Sequence, residues 1–169
     1  SLNFDHKQLL YASVNVSPKL GIFRPTWGFN YNQQFFDTRK YGASKALSKP
    51  LLSCSLNNNF ALSETMNAAI RLNASTTHAD GFLMMKSGYS VNLQFDKSFA
   101  NRTWIIYLSA NDIFKTAKER WTMYGLGAGT TKDCYNYTRN ISLQVTYNFN
   151  AKRSKYKGTG AGNAEKSRL

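Results

Sequence analysis

The chain has 169 residues, and its 22 lysines and arginines against 9 aspartates and glutamates give a formal net charge of +13. Hydrophobic residues make up 42% and aromatic residues 14%, which is the composition of a folded protein rather than a disordered one. The charge indicates nucleic acid, anionic lipid or acidic glycans as partners without choosing among them. No run of about 18 apolar residues is present, which excludes a transmembrane helix.

Seven segments alternate apolar and polar residues with the period of a β-strand. In ISLQVTYNFN, at residues 141–150, every odd position is apolar or aromatic and every even position is polar. Successive side chains of a strand point to opposite faces, so each segment has one apolar and one polar face. In chain order, the predicted strands span residues 9–16, 23–33, 51–62, 66–76, 89–97, 103–112 and 141–150.

The connections between these strands alternate in length. Three are short and turn-like, at Ser17–Lys19, Ser63–Thr65 and Ser98–Arg102, and three are longer, at Asp37–Pro50, Thr77–Gly81 and Lys115–Arg139. Because consecutive strands run in opposite directions, the short turns fall at one end of the sheet and the long loops at the other. Transmembrane barrels show this arrangement, with periplasmic turns and extracellular loops, although a soluble β-meander can also show it.

The polar faces hold mainly Asn, Gln, Ser and Thr, with Arg71 and Asp96 as mid-strand charges. A soluble sandwich usually exposes Lys and Glu there, whereas an uncharged polar face suits a hydrated lumen. The apolar faces carry large aromatic residues near strand ends, as the interfacial girdles of a barrel do: Trp27, Tyr31, Phe35, Trp104, Tyr147 and Phe149. The predicted fold class is therefore all-β, an antiparallel up-and-down transmembrane β-barrel segment with its apolar face towards lipid.

Several stretches of the chain resemble the C-terminal part of the TonB-dependent outer-membrane receptors, within the outer membrane protein beta-barrel family. They are LGIFRPTWGFNYNQQFFD, KPLLSCSLNNNFALSE, YSVNLQFDKSF, LSANDIF, RWTMYG, SLQVTYNF and the basic tail SKYKGTGAGNAEKSRL. LSANDIF and the tail are the most specific of these. The resemblance covers nearly the whole chain. It implies nutrient uptake across the outer membrane of a Gram-negative bacterium, through a large plugged barrel driven by an inner-membrane energy-transducing complex.

The chain accounts for only part of such a barrel. Single-chain bacterial barrels have even strand numbers, and seven strands would leave two open edges that hydrocarbon does not tolerate. The opening SLNFDHKQLL is not a signal peptide, so an exported protein would need further sequence before it. We expect residues 1–150 to form the C-terminal barrel segment and residues 151–169 a flexible basic tail. A complete eight-stranded barrel is an alternative if FLMMKSG or RWTMYG supplies a strand, although both are expected to extend neighbouring strands.

Two sets of site residues follow from the resemblance. Its last strand implies a signal for the barrel-assembly machinery in Val145, Tyr147 and Phe149. The glycine-rich GLGAGTTKDCYNYTRN has no strand–helix unit around it and is expected to be a flexible surface loop. Such loops help a receptor to hold its ligand, so Trp121, Tyr124 and Tyr135 are candidates for ligand contact.

No enzyme signature is present. The chain has no Gly-Xaa-Ser-Xaa-Gly motif, phosphate loop or Cys-Xaa-Xaa-Cys motif, and its two His–Asp neighbourhoods, at residues 5–6 and 78–80, are isolated. We expect no catalytic residue, cofactor or metal. Cys54 and Cys134 are expected to be unpaired thiols. The NDIF segment, at residues 111–114, is expected to be structural, where a strand meets an extracellular loop.

The expected partners are outer-membrane lipid, the barrel-assembly machinery, the missing N-terminal barrel and plug of the same protein, and a surface lipoprotein. No nucleic acid is expected. The alternative function is a soluble basic all-β module that binds nucleic acid or acidic glycan, with salt-sensitive affinity. Its weakness is that the aromatic residues alternate into apolar faces rather than lying among basic residues. The residues do not choose among sugar, siderophore, peptide and cobalamin as the transported ligand.

Overall fold

The computed structural model describes residues 7–35, 37–43, 46–125 and 128–149; the predicted basic tail and the Asp5–His6 pair lie outside them. This part of the chain forms eleven strands and the short 3-10 helix Thr38–Tyr41. None of its helices is long and apolar enough to cross a membrane. The strands are Gln8–Val16 (β1), Phe23–Phe35 (β2), Leu51–Ser63 (β3), Met66–Ser75 (β4), His78–Asp80 (β5), Leu83–Met85 (β6), Gly88–Phe99 (β7), Trp104–Asn111 (β8), Lys118–Gly125 (β9), Ala128–Tyr135 (β10) and Asn140–Tyr147 (β11).

Seven of the strands form one antiparallel sheet, here called the wall sheet, in the order β1-β2-β3-β4-β7-β8-β11. These are the seven strands predicted from alternation, and each end lies within three residues of its prediction. The all-β antiparallel fold class is thereby confirmed. Among the described residues the wall sheet is open, because β1 and β11 each pair with a neighbour on one side only.

The register of the wall sheet joins the apolar residues of all seven strands into one continuous face. Leu108, for example, is paired with Phe95 of β7 and with Leu143 of β11, and paired residues point to the same face. Each of the seven strands exposes at least one large apolar side chain on this face, for example Leu108 of β8, which is 42% exposed while its polar-face neighbour Ser109 is 9% exposed. A sheet in a soluble protein buries its apolar face instead.

The connections at the two ends of the wall strands differ in length, as predicted. The short connections at residues 17–22, 64–65 and 100–103 lie at one edge, here called the turn edge, where β11 also ends. The three long connections lie at the opposite edge, here called the loop edge. The turn after β7 is tighter than predicted, because β7 continues to Phe99 and the backbone reverses at three successive residues with positive φ, Ala100, Asn101 and Arg102.

The second and third long connections build another antiparallel sheet, the loop sheet, in the order β10-β9-β6-β5. The prediction that FLMMKSG and RWTMYG extend wall strands is wrong, because they contribute β6 and β9 to this sheet. Nor does either supply an eighth wall strand. The prediction of a flexible glycine-rich loop is also wrong for residues 128–135, which pair with β9 as β10. Pairing satisfies backbone groups that a long loop would otherwise leave to water.

Gln34, at the end of β2, fastens two long connections to the wall sheet. Its side chain is almost fully buried, and its Nε2 donates to the carbonyl oxygens of Leu47, at 2.9 Å, and Gly81, at 3.1 Å. Its Oε1 accepts from the Gly81 N–H at 2.9 Å. Leu47 is fully buried, and its own N–H donates to Thr38 Oγ1 at 3.1 Å. Three of the four largest fully buried side chains among the described residues thus lie at the loop edge: Leu47, Thr38 and Asp112.

We expect Gln34→Leu to release both connections, because it removes three hydrogen bonds and leaves buried backbone groups unsatisfied. Each such group costs roughly 1–3 kcal/mol. Hydrogen exchange of the intact protein should accelerate at residues 46–50 and 78–85 and stay unchanged in β4. Gln144 also lies on the polar face of the wall sheet but is exposed, so Gln144→Leu is a matched control. If hydrogen exchange at residues 46–50 and 78–85 accelerated equally in both variants, this role of Gln34 would be contradicted.

Candidate functional site

A groove of about 520 Å³ lies at the loop edge and is lined by residues of both sheets. The wall sheet contributes side chains of its polar face, all of them hydroxyl or amide groups: Asn30, Ser53, Ser55, Asn73, Ser75 and Ser90. They come from β2, β3, β4 and β7, and the register brings them together, with Ser53 opposite Ser75 and Asn73 opposite Ser90. These six side chains can each donate and accept hydrogen bonds.

The other side of the groove carries cationic side chains. Lys86 follows β6, and Lys118 and Arg120 belong to β9. The Arg120 Nη2 donates to the Ser87 carbonyl oxygen at 2.7 Å, which holds the guanidinium beside the start of β7. Within the described ranges there are two ion pairs, and neither involves these three cations. No acidic side chain of the described ranges therefore forms an ion pair with these cations.

Glu119 is the single acidic side chain among the described residues that line the groove. Its Oε2 accepts from Lys132 Nζ at 2.7 Å and from Asn136 Nδ2 at 3.3 Å, and its Oε1 accepts from Trp121 Nε1 at 3.0 Å. These hydrogen bonds, led by that from Lys132, lower the pKa of Glu119 to about 2. The carboxylate is thus ionised at neutral pH and is already paired with a cation outside the groove.

We expect Glu119→Gln to loosen the β9–β10 hairpin, because Lys132 loses its ionic partner. The folded-state pKa of Glu119 is depressed, so its contribution to stability is present above the ordinary pKa of a glutamate and is lost as the pH falls towards 2. Hydrogen exchange at residues 118–135 should accelerate in the variant at pH 7 and in the wild type on acidification. Asp133→Asn changes a neighbouring carboxylate of the same hairpin and serves as the control; it should exchange as the wild type does.

The three aromatic residues predicted to contact ligand lie on the β9–β10 hairpin but do not form one cluster. Trp121 and Tyr124 point to opposite faces of β9, because they lie three positions apart and side chains alternate at every position of a strand. The Tyr135 hydroxyl accepts from the Arg139 N–H at 2.8 Å, and its ring lies 5.3 Å from Lys115 Nζ. None of the three lines the groove. Their contact with ligand stays a prediction.

Asp112, in the NDIF segment, closes the base of the third long connection. Its side chain is 1% exposed, and the carboxylate accepts from the Thr116 N–H at 2.8 Å, the Ala117 N–H at 3.2 Å and Thr138 Oγ1 at 3.0 Å. Burial raises the pKa of Asp112, but these hydrogen bonds, together with one from Tyr135, outweigh it and hold the pKa below its usual range. The contacts are those of a structural residue.

The predicted assembly residues lie at the turn edge, where β11 ends. Val145, Tyr147 and Phe149 are all exposed. The Tyr147 ring centroid lies 4.5 Å from those of both Trp104 and Phe149, so the three rings form one aromatic cluster. This geometry leaves the residues accessible to a partner, and their role in assembly stays a prediction.

The described residues show no centre for metal chemistry. In these ranges no three His, Cys, Asp or Glu side chains lie together as a metal site. His78 Nδ1 lies 2.8 Å from the Thr76 carbonyl oxygen, a contact within one strand connection. Cys54 and Cys134 are both free thiols, as predicted.

Comparison with known proteins identifies the family. No curated protein and no solved structure matches the chain. The model of the "Outer membrane protein beta-barrel family" matches residues 1–147, which include all seven strands of the wall sheet. The match agrees with the exposed apolar face and with the separation of turns from long connections. The chain therefore belongs to the outer membrane protein beta-barrel family and is an outer-membrane protein.

Proposed function

We propose that this chain is the C-terminal barrel segment of a receptor for TonB-dependent nutrient uptake in a Gram-negative bacterium. The observation that carries the proposal is the position of the groove, which lies on the polar face of the wall sheet at its loop edge. In outer-membrane barrels the long connections are extracellular and the polar face lines the lumen. A groove at that place meets a ligand from outside before the ligand enters the barrel.

The open edges of the wall sheet support a larger barrel. In the described structure, β1 and β11 each present one unpaired edge, and unpaired backbone groups are not tolerated in hydrocarbon. The proposal therefore includes an N-terminal part of the same protein that supplies the remaining strands and a plug. A 22-stranded transporter would need about three times this sequence.

On the apolar face, the oxygen of the polar side chain Asn58 has a hydrogen-bond partner within that face. Asn58 lies on this face, opposite Pro25 and Ile70. Its Oδ1 accepts a hydrogen bond from Trp27 Nε1 at 3.0 Å. An amide left without a partner in lipid would cost several kcal/mol, so this pairing suits a surface that meets hydrocarbon.

The proposed partners follow from the same orientation. Outer-membrane lipid would cover the apolar face, and the aromatic cluster of Trp104, Tyr147 and Phe149 would lie at the periplasmic interface. The barrel-assembly machinery would bind the end of β11, and a surface lipoprotein would meet the loop edge. The chain would supply wall, loops and assembly signal, and it would perform no catalysis.

The alternative, a soluble module that binds polyanions, is disfavoured by the surface of the wall sheet. A soluble protein rarely exposes a contiguous apolar patch larger than a few hundred Å². Here the exposed apolar residues extend from the first wall strand to the last, with Val14 of β1 at 60% and Leu143 of β11 at 67%.

The test of the proposal is whether uptake depends on the energy-transducing complex. Growth is compared on a panel of media, each with a single nutrient source. A strain without the gene and a strain without the transducer should fail to grow on the same nutrient. The intact gene should restore growth only where the transducer is present. Restoration in its absence would overturn TonB-dependent uptake.

Orientation has a separate test in intact cells. In a background with Cys54 and Cys134 replaced by serine, Thr131→Cys on β10 should react with a membrane-impermeant maleimide. Glu64→Cys, at the turn edge, should react only after the outer membrane is permeabilised. The reverse pattern would place the groove on the periplasmic side and overturn the proposed role of the loop edge.

A further inference from the structure

We propose that the groove at the loop edge binds an acidic oligosaccharide. Its cationic side would bind the carboxylates of the sugar, and the serines and asparagines of the wall sheet would bind its hydroxyl groups. This inference rests on the proposed receptor function and adds to it the class of ligand.

The positive charge of the groove favours an anionic ligand. Lys86, Lys118 and Arg120 have no ionic partner among the described residues, and the Arg120 Nε is buried there without any hydrogen-bond partner. An adjoining cavity of about 510 Å³ shares Lys118 and Arg120 and adds Lys115. Lys86, Lys118 and Arg120 line the groove, so a ligand carboxylate there would form charge-assisted hydrogen bonds with them.

Carboxylates near the groove do not offset this charge. Glu119 faces the groove but is paired with Lys132 Nζ at 2.7 Å. Asp112 contacts the lining residues Thr116 and Ala117, yet it is fully buried and its oxygens already accept hydrogen bonds from them and from Thr138. The cations of the groove therefore remain available to a ligand.

The wall side of the groove favours a ligand rich in hydroxyl groups. Five of its polar side chains have no hydrogen-bond partner in the described protein: Ser53, Ser55, Asn73, Ser75 and Ser90. Each can both donate and accept, which matches sugar hydroxyls, since these also do both. A volume of about 520 Å³ lies within the range of ~300–1,000 Å³ that small-molecule sites occupy.

Calorimetric titration of the intact protein in detergent tests the inference with three probes. They are trigalacturonate, the neutral trisaccharide obtained by reducing its carboxyl groups, and citrate. We expect trigalacturonate to bind best, with an affinity that falls as salt is added. The double variant Lys86→Gln/Lys118→Gln should weaken its binding by about tenfold or more, because each lost contact is a charge-assisted hydrogen bond.

The matched control is Lys40→Gln/Lys49→Gln, which removes the same charge from the same edge outside the groove; it should keep wild-type affinity. The double variant Ser53→Ala/Ser75→Ala should weaken the binding of trigalacturonate and leave the affinity for citrate unchanged. Equal binding of the acidic and neutral sugars would overturn the role of the cations. Citrate binding as tight as that of trigalacturonate would overturn the role of the hydroxyls, and absence of trigalacturonate binding would overturn the ligand class.

These outcomes are separate from the test of energised uptake. A protein that fails to bind trigalacturonate but still depends on the transducer would remain a receptor, with a different ligand. A protein that binds trigalacturonate through Lys86 and Lys118, while its uptake is independent of the transducer, would keep the groove as proposed and lose the proposed TonB dependence.

Discussion

Leu143→Arg is expected to destabilise the intact barrel by roughly 2–4 kcal/mol, the cost of a cationic side chain on the lipid face near mid-membrane. Leu143 lies near the middle of β11 and is paired with Leu108 on the continuous apolar face. The adjacent Gln144 points to the polar face, opposite Tyr107. Gln144→Arg should therefore change stability by less than about 1 kcal/mol, since its side chain stays hydrated.

Urea unfolding of the purified protein in lipid vesicles measures this difference. Both substitutions add one arginine to the same strand, so the two variants have the same net charge. Refolding of purified protein also separates lipid exposure from any role of the end of β11 in cellular assembly. If Gln144→Arg proved the more costly of the two, lipid would lie against the polar face, and the orientation of the wall would be wrong.

Asp112→Ala is expected to open the third long connection. The substitution leaves the N–H groups of Thr116 and Ala117 and the hydroxyl of Thr138 without their acceptor, at roughly 1–3 kcal/mol for each group that stays buried. Limited proteolysis of the intact protein should then cut within residues 113–139. Asp112→Asn keeps one acceptor oxygen and should increase cleavage less. Asp133→Ala is the control, and the protease should cut it as it cuts the wild type.

The same carboxylate predicts a pH dependence. The pKa of Asp112 is lowered in the folded protein, so its stabilising contribution is fully present above the ordinary value of about 3.9. It is lost as the pH falls through the lowered folded-state pKa. Cleavage of the wild type by an acid-active protease should therefore increase over this range. If Asp112→Asn showed the same increase, another group would be responsible for it.

The wall sheet was predictable because its signal is local. Alternation with period two follows from the strand itself, and the apolar face selects the register, since a slip of one residue would reverse every side chain. The loop sheet gives no such signal. The three residues of β6 are too few for a periodic pattern, and their pairing with Met123, Thr122 and Trp121 of β9 joins distant parts of the chain. The glycines near β10 are typical of loops and favoured the wrong interpretation.

The groove could be predicted only in part. Alternation in the sequence predicts the serine and asparagine faces of the wall strands and separates them from the apolar faces. It gives no signal for Lys86, Lys118 and Arg120, because isolated basic residues in a connection usually belong to a solvated surface. Only the pairing of β6 with β9 places Lys86 beside Arg120, where its N–H donates to the Arg120 carbonyl oxygen at 2.8 Å. Trp121 and Tyr124, which the sequence predicts as ligand contacts, point to opposite faces of β9.

The attachment of the long connections through Gln34 has a consequence for how they move. A single amide joins β2, Leu47 and Gly81, so a displacement of one connection is passed through that amide to the other. The segments that hold Leu47 and Gly81 lie far apart in the chain, yet they should move as one mechanical unit, and Gln34→Leu should make them independent.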